Sequence, residues 1–77
     1  MDSEMIIITT LSFNLSILNE NFPSLCYALC EYSFGKQDIE NIFSEEDIKT
    51  IVKTLGSDYH IRGDRTMLKK CFQIFFN

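Results

Sequence analysis

Cys26, Cys30, His60 and Cys71 are the residues of this sequence best suited to metal or nucleophilic chemistry. Zinc accepts all four, and a small chain would gain folding free energy from such a site. The spacing argues against it. Structural zinc draws a close pair from a turn, whereas Cys26 and Cys30 stand one helical turn apart in a segment that reads as helix, and Cys71 takes an apolar position in another. A small buried hydrophobe is the ordinary use of such thiols, so no metal or other cofactor is expected. Cysteine–histidine catalysis needs an activated thiolate beside an imidazole, yet His60 sits in a polar stretch and no oxyanion motif flanks any cysteine. With no phosphate-cradling glycines and no ligand-spaced acids, no catalytic residue is assigned and the chain is not expected to be an enzyme.

Short motifs add little. Arg62-Gly63-Asp64 spells an integrin-binding tripeptide and Asn14-Leu15-Ser16 a glycosylation sequon, but both need a secreted protein to matter, and three-letter matches arise by chance. Arg62, Arg65, Lys69 and Lys70 form a candidate basic patch that raises the idea of a helix-turn-helix. The connection from Gly56 to Gly63 is longer than that motif's turn, however, and the recognition helix would begin with Asp64. Conversely, Glu31, Asp38, Glu40, Glu45, Glu46 and Asp47 raise the idea of carboxylates imitating phosphates in a nucleic-acid groove, although their count is modest for a mimic and ordinary helix solvation accounts for most of them.

Charge is unevenly spread. Through Asp47 nine acids face one base, giving −8, while two acids and six bases from Ile48 onward give +4, for a net −4. The overall sign disfavours nonspecific binding to nucleic acid or anionic lipid. Acidic residues stand where a secretory signal needs positive charge, and polar residues break the apolar run that ends at Leu18, so neither a signal nor a membrane span is expected. Three cysteines cannot all pair within one chain, which favours a reducing, cytoplasmic compartment. The bias toward Ile, Phe and Asn suggests an AT-rich gene, as in many phages, viruses and low-GC bacteria.

Seventy-seven residues, 45% hydrophobic and including seven phenylalanines, predict a single domain over 1–77 with a core near the lower size limit for folding alone. The clearest element is SEEDIKTIVKTLG: Ser44 caps, acids fill the first turn, Ile48, Ile51, Val52 and Leu55 form the buried stripe, and Gly56 ends it. GDRTMLKKCFQIFFN repeats the pattern, with Asp64 as cap and Met67, Leu68, Cys71, Phe72 and Phe75 buried. A third helix runs from Phe22 or Pro23 to about Phe34, with Asn21 as its cap and Gly35 as its end. A short helix through Ile39, Ile42 and Phe43 leads into the capped one.

The N-terminal segment satisfies two periods at once. Leu11 to Ile17 alternates apolar and polar as a half-buried strand does, while Ile8, Leu11, Leu15 and Leu18 are spaced as a helix face with Thr9, Ser12, Ser16 and Asn19 opposite. Its β-branched run favours strand. Its length, the absence of Gly or Pro, and the candidate caps Asp2 and Ser3 favour helix, and the one intramolecular strand partner, Asp58 to Arg62, is short. The expected fold is therefore an all-α bundle of four to five helices, the alternative being α+β with an N-terminal strand over 5–18.

The aromatic surplus in so small a chain points to a non-enzymatic protein–protein interaction module, a viral or phage regulator or inhibitor that binds a larger protein or its own twin. Phe13, Tyr27, Phe34, Phe75 and Phe76 are the candidate partner-binding residues. A nucleic-acid-linked role, through the basic patch or through acidic mimicry, ranks second.

Overall fold

The computed structural model describes residues 2–56, 61 and 63–76. They form α1 (Ser3–Asn21), α2 (Pro23–Ser33), α3 (Ile39–Ile42), α4 (Glu45–Leu55) and α5 (Thr66–Phe75), with no strand among the described residues. The fold is a small all-α bundle.

The ambiguous N-terminal segment is helical, and the reason is visible in what it buries. A strand would place Leu11, Phe13, Leu15 and Ile17 on one face. Instead Leu11, Leu15 and Leu18 are buried, while Phe13 is 65% exposed. The Asp2 carboxylate accepts the Met5 N–H at 2.9 Å and caps the helix, satisfying a donor that has no partner within it. Ser12, expected on the polar side, turns inward with its hydroxyl buried and without a nitrogen or oxygen partner, against the Cys71 thiol. Of the segment considered as a strand partner, only Ile61 is described; it is buried, and its carbonyl accepts the Tyr32 phenol. Asp58, Tyr59, His60 and Arg62 lie outside the described residues.

One residue joins α1 to α2. Phe22 donates its N–H to the Leu18 carbonyl at 2.7 Å as the end of α1, and its carbonyl accepts from Cys26 N–H at 3.0 Å as the start of α2. The expected cap, Asn21, does not serve here: it is the last residue of α1, and its Nδ2 donates back to the Ile17 carbonyl. Phe22 occupies the cap position without a side-chain bond, and Pro23 fills the first helical position, where a missing N–H costs nothing. Cys26, Leu29, Tyr32 and Ser33 form the buried face, with Leu25, Ala28 and Cys30 partly covered. Gly35, at φ 75°, turns the chain out of the helix.

Ser44 Oγ accepts the Asp47 N–H at 3.1 Å and starts α4 as its sequence requires. Gly56, at φ 95°, stops it, and Asn14 Nδ2 from α1 donates to the Leu55 carbonyl at 3.2 Å, satisfying an otherwise open end. The buried stripe is narrower than the sequence suggested. Ile51 and Leu55 are buried and Ile48 partly so, but Val52 is exposed, because α4 packs chiefly on α1. Removing either cap is expected to cost about 1 kcal/mol, so Asp2→Ala and Ser44→Ala should each lower the melting temperature by roughly 4–8 °C in a circular dichroism melt.

At α5 the Asp64 carboxylate accepts both the N–H and the hydroxyl of Thr66, and these bonds hold its acid below the usual range. Asp64 stands one residue before the flanking Arg65, so it tethers the helix start from a turn rather than from the cap position itself. Leu68, Cys71 and Phe72 are buried; Phe75, expected among them, is exposed near the helix end. α1 is the central element, touching α2, α4 and α5, and α2 also meets α3 and α5. The radius of gyration, 11.6 Å, matches the roughly 11.5 Å of a compact chain of this length.

Candidate protein-docking surfaces

Helices with one core-facing stripe should be polar elsewhere, and two of these are not. On α1, Ile6 and Phe13 stand two turns apart on the side opposite the buried leucines, with half-buried Ile17 one turn beyond. On α2, Tyr27 and the adjoining Phe34 repeat the two-turn spacing, 66% and 37% exposed. The Glu31 carboxylate one turn on raises the Tyr27 phenol above its usual range. At the end of α5, Phe76 stacks on the buried Phe72 ring with centroids 6.2 Å apart, and Phe75 meets that ring edge-on at 6.0 Å.

The structure thus distributes the five aromatic candidates over three surfaces, and only Phe75 and Phe76 share a ring neighbour. Sequence reading missed Met5, Ile6, Phe22, Val52 and Ile74, all exposed. The signal for Ile6 was present: its spacing to Phe13 and Ile17 marks a second apolar stripe on a helix whose first stripe is already complete.

The basic patch is largely committed to holding the fold. Arg65 Nη1 donates to the Tyr32 carbonyl at 3.1 Å while its guanidinium lies 5.0 Å from the centroid of that residue's ring. Lys69 Nζ sits 5.9 Å from the Phe34 ring, and Lys70 pairs with Glu4 of α1. Arg62 lies outside the described residues. A hollow of about 500 Å³ over the start of α5 is lined by Arg65 and Lys69, but Asp64 already occupies the helix N–H end there. Arg65 and Lys69 thus meet a carbonyl and rings and keep their positive charge, while that of Lys70 is matched by Glu4.

Two further grooves share Phe43 as a wall. The first, about 440 Å³, is lined by Leu25, Ala28, Ile42 and Phe43 together with Phe22, and Asp47 is its one charged residue among those described. The second, about 490 Å³, lies between Ile39 and Ile48 with Glu40 and Glu45 beside it. Among the described residues, neither is lined by a lysine or arginine. Tyr27 stands one turn from Ser24, which lines the first groove.

The thiols point to different places. Cys26 Sγ faces the Leu15 carbonyl at 3.9 Å and Cys71 Sγ the Ile8 carbonyl at 3.7 Å. No three cysteine, histidine or acidic side chains gather to hold a metal among the described residues, which exclude His60. Burial pushes Cys26 up to about 11, aided by Cys30, and burial raises Cys30 and Cys71 as well. A folded chain that holds these protons more tightly than the unfolded one has its full stability below about pH 9 and loses it progressively toward pH 11. Denaturant midpoints should therefore fall as the pH is raised from about 8.5 to about 10.5, and replacing Cys26 with alanine should flatten that fall.

No described helix is long and apolar enough to cross a membrane. No family model matches the chain, and neither the curated proteins nor the solved structures contain a significant match.

Proposed function

We propose that this chain is a non-enzymatic protein–protein interaction module that docks a larger protein through the apolar side chains its helices leave outside. The observation that carries this reading is the second apolar stripe of α1, Ile6, Phe13 and Ile17, on a helix whose opposite face already completes the core. Single exposed apolar residues are ordinary, but several aligned along one face of a helix, here with Thr9 and Thr10 between Ile6 and Phe13, are what a partner helix buries. Tyr27 and Phe76, 66% and 71% exposed, are the kind of large aromatic anchor that dominates interface energetics. The three free cysteines favour action in a reducing, cytoplasmic compartment, and the composition suits a phage or viral regulator that inhibits a host protein. The net charge of −4 disfavours the nucleic-acid reading, and Lys70 of the patch is already paired with Glu4.

Photo-crosslinking residues placed at Phe13, Tyr27 and Phe76, and at Lys49 and Lys53 as controls, test the proposal in extracts of the cells that make the chain. The first three positions should each yield a discrete heavier adduct and the controls none. Adducts from no position, or equally from all five, would overturn it, as would a salt-dependent shift of a DNA or RNA probe at the same protein concentration.

A further inference from the structure

The two grooves that share Phe43 have an apolar interior and a carboxylate rim, and they lie in the acidic part of the chain. We infer that they form the seat of a short apolar segment of a partner protein flanked by lysine or arginine, a more specific role resting on the docking function proposed above. Leu25, Ala28, Ile42 and Phe43 give the first groove a surface on which one large side chain can be desolvated, and Ile39 and Ile48 give the second groove another. Two such anchors on either side of one ring fit a segment with bulky residues three or four apart. Asp47 and Glu40 then meet the flanking cations, and a region carrying −8 through residue 47 draws them in from solution.

The same charges choose among occupants. Nucleic acid would bring phosphates against carboxylates. A second copy is the competing occupant, since its Lys36 adjoins exposed Phe34; its Lys70, however, is paired with Glu4, and Lys49 and Lys53 of α4 flank one exposed apolar side chain of that helix, Val52.

Selection of a random twelve-residue peptide library, displayed on phage, against the full chain tests the inference. Enriched peptides should carry two large apolar residues three or four apart with an adjacent lysine or arginine, and should shift the amide resonances of Ala28 and Phe43. Ser24→Trp, an exposed position lining the first groove, should weaken their binding at least tenfold by filling it; Asp47→Asn and Glu40→Gln should weaken it several-fold and reduce its salt dependence. Circular dichroism establishes that each variant is folded, and the Glu40 change, away from any cap bond, serves if the others are not. The inference is overturned if no peptide is enriched, if those enriched are acidic or uncharged, or if Ser24→Trp leaves their affinity unchanged. It is also overturned if a second copy fills the grooves, seen as a concentration-dependent mass abolished by Ser24→Trp. Crosslinks from Phe13, Tyr27 and Phe76 alongside empty grooves would remove this seat and leave the docking function standing.

Discussion

Tyr32→Ala should cost about 3–5 kcal/mol, the range for deleting a buried aromatic side chain, which is a large fraction of the stability available to a chain this small. One side chain here fastens four parts of the molecule. Its ring meets Phe43 edge-on with centroids 6.1 Å apart, holding the α3–α4 joint against α2. Arg65 lies over the same ring, tying in the start of α5, and the phenol donates to the buried Ile61 carbonyl. Tyr32→Phe separates these contributions, because it keeps the packing and removes only the hydrogen bond; about 1–3 kcal/mol is expected for leaving that carbonyl unsatisfied. Urea unfolding followed at 222 nm reads both values. A Tyr32→Phe variant as stable as the parent would show that the Ile61 carbonyl has another partner.

Leu15→Ala is expected to cost roughly 2–5 kcal/mol through lost burial and the cavity left behind. The upper part of that range applies. Leu15 is fully buried on the central helix, whose neighbours α2, α4 and α5 surround it, so collapse into the void would have to move several elements together. Phe13→Ala, two residues away and pointing outward, should change stability by less than about 0.5 kcal/mol in the same assay. The contrast between these two positions is a direct test of which face of α1 is the core. Equal losses would contradict the helix orientation on which the docking surface rests.

The sequence's legibility followed how many helices each stretch packs against. α4 could be read almost completely, since Ser44, Gly56 and the Ile48–Ile51–Leu55 stripe are local signals that tertiary context left in place. Val52 misled because a helix facing mainly one neighbour buries a narrower arc than its pattern suggests. α1 was ambiguous for the opposite reason: it touches three helices and also carries an outward apolar strip, so apolar residues fall at both periods. Only the fold, by burying Leu11, Leu15 and Leu18 and exposing Phe13, separates them. Asn21 had the right chemistry for a cap but stood one residue too early, where a single-residue joint gave the cap position to Phe22. Among the site residues, the aromatics were visible as a surplus, whereas the grooves about Phe43 depend on the placement of α3 against α2 and could not be foreseen from spacing.

That single-residue joint decides whether the molecule remains self-contained. Were Phe22 helical, α1 and α2 would fuse into an unbroken rod from Ser3 to Ser33, roughly 46 Å long, too extended for both halves to fold back onto one core. Such a rod would bury its leucines by trading α1 with another molecule, giving an intertwined, domain-swapped pair. Pro23 guards against this, because its ring excludes the preceding residue from helical backbone angles, and Phe22 sits at φ −138° and ψ 68° accordingly. The proline therefore preserves the identity of the folded unit, keeping each copy's hydrophobic interior its own.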